Sequence, residues 1–119
     1  MKTAVIILFH GSKAEGSDAI VHRIIAEVRR RGHFDIVVEA FLQNSTPGLR
    51  ESMAFCIQQR VEKIAIVPFF LQLGTHVTAD IPLLVDEIRH GHPEIEITLT
   101  EPVGSHPLLV DVILDLATI

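Results

Sequence analysis

The 119-residue sequence contains no tryptophan, no tyrosine and only one cysteine. A single cysteine excludes an internal disulfide bond, which fits the reducing cytoplasm, and we expect the protein to be cytoplasmic. Cys56 is interpreted as a small buried residue of a helix and not as a nucleophile. The first residues lead directly into a strand-like run without an Ala-x-Ala cleavage pattern, so we expect no secretory signal.

Long apolar runs and an excess of basic charge are also missing. The longest apolar runs, residues 4–9 and 64–71, are far shorter than the ~20 residues of a membrane-spanning helix, so we expect no membrane association. The formal net charge of −5 argues against nucleic-acid binding, which requires a basic surface. Hydrophobic residues form 48% of the chain and charged residues 21%, which is typical of a packed soluble protein. The length predicts one domain, residues 1–119.

Short β-rich runs alternate with amphipathic segments along the chain. This pattern predicts an α/β fold, a three-layer sandwich around a four-stranded parallel sheet with flavodoxin-like topology. Strands are predicted over residues 4–9, 36–42, 63–70 and 95–100, the last at an edge of the sheet. Helices are predicted over residues 17–31, from about 46 with Pro47 in the first helical position, over 79–90, and after a cap at Ser105. Gly32 and Gly91 are predicted to stop the first and third helices.

Histidines follow three of the four predicted strands. Ligands of such sheets bind outside the carboxyl ends of the strands, where His10, His76 and His106 are expected. Strands one and three are neighbours in most sheets of this class, so His10 and His76 are expected to reach a common ligand. Imidazole is both a transition-metal ligand and a proton acceptor near neutral pH. For His106, which precedes Pro107, we favour a structural or capping role over ligand binding.

Four segments, in this order, resemble the class II tetrapyrrole chelatases. They are His10-Gly11-Ser12, Val67-Pro68-Phe69-Phe70-Leu71 leading into Gly74-x-His76-Val77, Asp80-Ile81-Pro82, and Gly104-x-His106-Pro107. The chain is similar over its whole length to the small single-domain sirohydrochlorin cobalt- or nickel-chelatases, which are related to sirohydrochlorin ferrochelatase. The resemblance implies a chelatase-like fold, a homodimer, and insertion of cobalt, nickel or iron into sirohydrochlorin for cobalamin, sirohaem or a related cofactor. It also implies that His10 and His76 handle the metal and the protons, with no organic cofactor.

Sirohydrochlorin is a polycarboxylate, so a chain with a net charge of −5 repels it at long range. Local groups are expected to offset this repulsion, among them Lys13 and the helix N-termini at the same edge of the sheet. Hydroxyl groups there can hold carboxylates, and leucines can form apolar walls for the ring. The residues that we expect to bind the substrate are Ser12, Lys13, Gln43, Ser45, Leu73, Gly74, Thr75, Ser105 and His106.

One position departs from the pattern of the chelatases. Members commonly carry a glutamate after the second strand, in a Leu-Glu-x-x-x-Pro setting, where this chain has Gln43. An amide accepts no proton in this role, although its oxygen can touch a metal weakly. A non-catalytic carrier of metal or tetrapyrrole, or an assembly partner, therefore stays open as an alternative. A histidine phosphatase is disfavoured because Phe9 stands where the arginine before the nucleophilic histidine is required, and the Gly-x-Ser-x-Gly motif of hydrolases is absent.

Overall fold

Strands and helices alternate along the chain, as the sequence pattern predicts. The structure is a computed structural model and describes residues 1–11, 17–73 and 79–118. The strands are β1 (Thr3–Phe9), β2 (Ile36–Phe41), β3 (Lys63–Pro68) and β4 (Glu96–Leu99). The helices are α1 (Ser17–Arg31), α2 (Leu49–Gln58), α3 (Ile81–Gly91) and α4 (Leu108–Ala117), and a 3₁₀ turn (Val103–Ser105) precedes α4.

The four strands form one parallel sheet in the order β2-β1-β3-β4. This is the flavodoxin-like order, so the predicted fold class is confirmed. β1 lies in the centre, and its residues from Ala4 to Phe9 are all buried. β4 lies at an edge, as its alternating sequence predicts. The expectation that the first and third strands are neighbours is also confirmed.

Helices cover both faces of the sheet and give it two hydrophobic cores. On one face, side chains of α2 and α3 pack on the sheet, with Met53, Val85 and Ile66 among the most deeply buried. On the other face, Val21 and Ile25 of α1 pack against residues of β1 and β2. The predicted three-layer arrangement is therefore present. Among the described helices, none is long and apolar enough to cross a membrane.

Helix α1 begins and ends where the sequence predicts, whereas helix α2 begins later than predicted. Helix α1 has the predicted bounds, and Gly32 ends it with φ +70° while its N–H donates to the Arg29 carbonyl at 3.1 Å. The prediction that Pro47 begins α2 is wrong. The Pro47 carbonyl accepts a hydrogen bond from the Phe41 N–H at 2.9 Å, which holds Pro47 against the end of β2. The helix begins at Leu49, after Gly48.

The start of the last helix also differs from the prediction. Ser105 does not cap α4, because it closes the 3₁₀ turn with its N–H donating to the Pro102 carbonyl at 2.9 Å. Helix α4 begins at Leu108, whose N–H donates to Nδ1 of His106 at 3.1 Å. In α3, Pro82 lies in the first turn as predicted, and the helix runs to Gly91. Strands β2, β3 and β4 end one to two residues before their predicted ends, at Phe41, Pro68 and Leu99.

Candidate functional site

The candidate site lies at the carboxyl edge of the sheet, where the strand order reverses between β1 and β3. In open α/β sheets this switch point is the usual place for a ligand. His10 follows β1 directly and its side chain is exposed. The chain after β3 stays beside β1, since the Phe69 N–H donates to the Leu8 carbonyl at 2.8 Å. An imidazole therefore stands at the position that the topology favours for binding.

A glycine brings the loops after β1 and β2 into close contact. Gly11 has φ +86°, and a Cβ atom at this position would lie 1.7 Å from the carbonyl oxygen of Gln43. No side chain larger than hydrogen fits there without moving the backbone. Asn44, itself at φ +63°, donates its side-chain N–H to the Gly11 carbonyl at 3.4 Å. The two loops are thereby held together beside His10.

The imidazole of His10 has the Gln43 side chain as its polar neighbour. Nδ1 of His10 and Nε2 of Gln43 are 3.4 Å apart. An amide nitrogen only donates, so in this orientation Nδ1 is the acceptor and the neutral ring carries its proton on Nε2. With the amide turned over, its oxygen accepts from a protonated Nδ1 and leaves the Nε2 lone pair free. The second arrangement suits a metal ligand or a base acting through Nε2.

Four phenylalanine rings lie close to His10 or to one another at this edge of the sheet. The ring of Phe70 meets the His10 imidazole edge to face, with centroids 5.7 Å apart and an angle of 75° between the planes. Phe9 lies 6.0 Å from Phe41 and 5.3 Å from Phe69, measured between ring centroids. A cleft of about 190 Å³ is lined by these last three rings together with His10, Gly11, Asp18, Ile20, Val21 and Ser45. The walls are therefore mainly apolar, and His10 is one of the residues that line them.

A second, larger groove of about 600 Å³ lies beside the start of α4. Its lining includes Val67 of β3 and Val112 of α4, together with the polar residues Ser105 and His106. Because Nδ1 of His106 accepts the Leu108 N–H, the neutral ring carries its proton on Nε2. That N–H is a donor suited to a carboxylate, in addition to the capping role of the ring.

The structure places only some of the predicted site residues. Gln43 and Ser45 lie exposed on the loop after β2, and Leu73 is half-buried against the core under α2 and α3. His76 lies outside the described residues, as do Ser12, Lys13, Gly74 and Thr75. The pairing of His10 with His76 therefore stays a prediction. Within the described ranges, no three His, Cys, Asp or Glu side chains are grouped closely enough to hold a metal ion.

Three residues that the sequence analysis gave no role help to shape this edge. Asn44 is one, and its left-handed backbone conformation is a state that asparagine tolerates better than most residues. Phe70 supports the His10 ring. Gly104 donates its N–H to the Phe70 carbonyl at 2.9 Å, and a Cβ atom on Gly104 would lie 1.7 Å from the Leu71 carbonyl oxygen. The recurrence of glycine and asparagine in these loops is the signal that could have identified two of them.

Among the described residues, the side chains with a perturbed pKa lie away from this edge. On α1, a hydrogen bond from Arg30 lowers the pKa of Glu27 and raises the pKa of Arg30 itself. In α2, burial raises the pKa of the Cys56 thiol to about 11. The Cys56 side chain is fully buried, which confirms its interpretation as a core residue and keeps it protonated at neutral pH.

Comparison with solved structures shows the same fold in chelatases. A CbiX protein from Marinobacter aquaeolei superposes with a TM-score of 0.74 at 27% identity, covering 96% of this chain and 92% of that chain. The sirohydrochlorin chelatase SirB from Bacillus subtilis subspecies spizizenii, solved with cobalt, gives a TM-score of 0.82 at 23% identity. That match covers 97% of this chain and 49% of SirB, and at this identity it bears on the fold alone.

Curated relatives are of two lengths. The sirohydrochlorin cobaltochelatase of Methanosarcina barkeri is 36% identical over 120 residues, covering 94% of this chain and 92% of the relative. The chloroplastic sirohydrochlorin ferrochelatase of Arabidopsis thaliana is 30% identical over 111 residues, which is 93% of this chain and 49% of the relative. The chain thus spans about half the length of some relatives and nearly all of others. The CbiX family model matches residues 4–118, and the chain belongs to the CbiX family.

Proposed function

We propose that this protein inserts a divalent metal ion into sirohydrochlorin. The observation that carries the proposal is the exposed His10 at the switch point between β1 and β3, in a chain that belongs to the CbiX family. Relatives named as sirohydrochlorin cobaltochelatases and ferrochelatases support the substrate and support cobalt and iron as metals. Nickel stays a third candidate, because imidazole sites bind the late first-row metals in an order set mainly by the metals themselves.

The reaction requires at least two protein groups, one to hold the metal and one to accept protons. Two pyrrole N–H protons must leave the macrocycle, the metal must lose bound water, and the ring must bend so that its nitrogens face the ion. One imidazole nitrogen cannot hold a metal and accept a proton at the same time. We therefore assign His10 and His76 jointly to metal holding and proton acceptance, with His10 acting through Nε2. A site with few protein ligands holds the metal weakly enough to release it to the substrate.

Gln43 is assigned to orienting His10. Its amide is within reach of Nδ1, and an oxygen turned toward a protonated Nδ1 directs the lone pair of Nε2 outward for the reaction. The amide cannot take a proton itself, so proton acceptance falls to the imidazoles. The carrier alternative receives less support, since the named relatives are enzymes and the Gln43 side chain already stands beside the histidine.

The apolar walls and the polar rim fit the two parts of a tetrapyrrole. The apolar ring suits the surface formed by Phe41 and Phe69, which are less deeply buried than Phe9. Carboxylates on its periphery need donors, which the chain offers near the same edge. We keep all nine residues as the substrate-binding set: Ser12, Lys13, Gln43, Ser45, Leu73, Gly74, Thr75, Ser105 and His106.

We also propose that the protein acts as a homodimer of single domains in the cytoplasm. His10 is exposed, so a second copy can approach the same edge of the sheet. Some relatives have about twice the length of this chain, which is consistent with a second body of similar size at the site. The free thiol of Cys56 fits a reducing compartment.

Anaerobic incubation with sirohydrochlorin and Co²⁺, Fe²⁺ or Ni²⁺ tests the proposed activity. Insertion changes the absorption spectrum of the macrocycle, and the rate is compared with that of the metal and substrate alone. The His10→Ala variant should lose the enzymatic rate, whereas His33→Ala, altered at an exposed position in the turn between α1 and β2, should keep it. Equal rates with and without wild-type protein for all three metals would overturn the proposal.

A further inference from the structure

Two strands, β2 and β4, lie at the outside of the sheet, and each pairs with a neighbour on one side only. In such an outer strand, alternate residues turn their backbone N–H and C=O groups away from the sheet, where a strand of another molecule can bind them. The β2 segment, Ile36–Phe41, contains one charged residue and no proline or glycine, a composition that favours pairing between molecules. A feature of the fold that blocks these strands is therefore to be expected.

On β2, the guanidinium group of Arg29 binds an outward backbone carbonyl. Its Nε and Nη2 atoms donate to the Val37 carbonyl at 3.0 and 2.8 Å. The Leu42 N–H donates to the Phe9 carbonyl of β1, so the odd-numbered residues of β2, Val37 among them, turn their backbone groups away from β1. A planar guanidinium that binds through two nitrogens is held in one orientation, unlike a lysine ammonium.

Two further contacts bind outward groups of β2. The Ser52 hydroxyl of α2 donates to the Glu39 carbonyl at 2.7 Å. The Phe41 N–H donates to the Pro47 carbonyl at 2.9 Å. Together with Val37, these residues are the three outward positions of the strand, and each has a backbone group bound within the chain. The chain itself therefore covers the outer side of β2.

On β4, at the other side of the sheet, Arg89 makes the same contact. Its Nε and Nη2 atoms donate to the Ile97 carbonyl at 3.1 and 3.0 Å. The Thr100 N–H donates to the Ile66 carbonyl of β3, so Ile97 turns its backbone groups outward. Asp86, one turn earlier in α3, forms an ion pair with the same guanidinium and steadies it.

The two arginines occupy equivalent places in the fold. Each lies in the last turn of the helix that precedes an outer strand, and each binds a carbonyl eight residues further along the chain. Helix α2 precedes β3, which has neighbours on both sides, and its last turn carries no basic residue. On α1, Arg30 and Arg31 bind Glu27 instead of the strand. The contact therefore accompanies outer strands and is not a general property of basic helix ends.

We propose that Arg29 and Arg89 close the two outer strands of the sheet against strands of other molecules. Each guanidinium binds a carbonyl that an added strand would otherwise use, and it places a positive charge beside the strand. Cationic side chains on outer strands are a known means of preventing sheets from pairing between molecules. Both contacts are made to the second residue of a strand, whereas His10 follows the carboxyl end of β1. The role is therefore separate from the proposed metal insertion and does not depend on it.

The first experiment follows molar mass with time by light scattering, under conditions in which circular dichroism shows that every variant is folded. The mass of Arg29→Gln and of Arg89→Gln should grow at least about tenfold faster than that of the wild type, with an infrared band of intermolecular β-sheet. Arg30→Gln is the matched control, since it makes the same substitution one residue along α1 in a side chain bound to Glu27. Its mass should grow at the wild-type rate.

A second comparison separates an open strand from a loss of stability. Val85→Ala creates a cavity in the core of α3, where the side chain is buried, and leaves both arginine contacts in place. Urea unfolding ranks the variants by stability. Although Val85→Ala should be the least stable of them, it should associate more slowly than Arg89→Gln and without the infrared band. Arg29→Lys and Arg89→Lys keep the charge, lose the two-nitrogen contact and should associate at intermediate rates, and they replace any glutamine variant that does not fold.

A rescue variant tests whether β4 is the strand that pairs. Thr98 is exposed on β4 next to Ile97. A lysine there hinders strand pairing by its own charge. The double variant Arg89→Gln/Thr98→Lys should return the rate of association to within about threefold of the wild type, because it closes the strand by a second means. Fast association that persists in the double variant would show that other surfaces pair and would overturn the role of Arg89.

The remaining outcomes also decide the question. A wild-type rate of association for Arg29→Gln or for Arg89→Gln would overturn the role of that arginine. Equal acceleration by Arg30→Gln would assign the effect to net charge, and equal acceleration by Val85→Ala would assign it to stability. Either result would overturn the proposal.

Discussion

The side-chain amide of Gln43 lies 3.4 Å from Nδ1 of His10. This contact joins the residue that departs from the family pattern to the residue that carries the proposed chemistry. Gly11 makes it possible, since any side chain there would collide with the Gln43 backbone. The departure therefore places a neutral amide, in place of a carboxylate, beside the histidine.

A carboxylate at position 43 should increase metal insertion. In Gln43→Glu the side chain accepts the Nδ1–H of His10, fixes the tautomer with a free Nε2, and adds an oxygen that can bind the metal. We expect a rise of about 10-fold in the rate at limiting metal, in line with the effect of groups that orient metal-binding histidines. Gln58→Glu, an exposed position of α2, is the control and should leave the rate unchanged. A fall in rate with Gln43→Glu would contradict the orienting role.

Removal of either proposed imidazole should abolish insertion while the fold persists. His10→Ala removes an exposed side chain, so the free energy of unfolding should change by less than about 0.5 kcal/mol. The enzymatic rate should fall at least 100-fold, the size of a lost general base. We predict the same for His76→Ala. Spectrophotometry measures the insertion rate, and urea unfolding measures the stability. A near-normal rate in either purified variant would show that the substituted histidine does not take part in insertion.

A methyl group at Gly11 should damage both stability and activity. Gly11→Ala places a Cβ atom 1.7 Å from the Gln43 oxygen at a φ of +86°, so the loop must move. We expect a loss of about 1–3 kcal/mol in the free energy of unfolding, together with a lower insertion rate. Gly91→Ala is the matched control, because nothing lies within 4 Å of a Cβ atom there. Equal unfolding curves for Gly11→Ala and wild type would contradict the close approach.

Protein stability should fall in alkali because of Cys56. Burial raises the folded-state pKa of the thiol to about 11 from a usual value near 9.0. The unfolded chain then loses its proton first, so the stabilisation is complete below pH 9 and is lost as the pH rises toward 11. Urea unfolding across this range should show a smaller fall for Cys56→Ala than for wild type. Parallel pH profiles would show that the thiol does not titrate in this way.

The sequence predicted the sheet better than the loops. β1 is buried on both faces, and a fully apolar run is typical of a central strand in a parallel sheet. The start of α2 was misplaced because a proline fits the first turn of a helix in isolation, whereas here its carbonyl is bound by Phe41 of the preceding strand. That hydrogen bond depends on tertiary structure, which no local pattern contains.

The same limit applies to the candidate site and to α4. The position of His10 follows from strand order, which the alternating pattern predicts. Its contacts with Gln43 and Phe70 depend on loop geometry that no spacing rule supplies. The sequence likewise predicted a helix containing Leu108 and Leu116, but its exposure depends on the path of the preceding turn.

The tight contact of Gly104 with Leu71 joins the loop before α4 to the loop after β3. The Gly104 N–H is bonded to the Phe70 carbonyl, and the Phe70 ring rests against His10. Only a few residues separate Gly104 from the first turn of α4. The backbone before the last helix is therefore coupled to the support of the imidazole, and a larger residue at position 104 would disturb the ring that steadies His10.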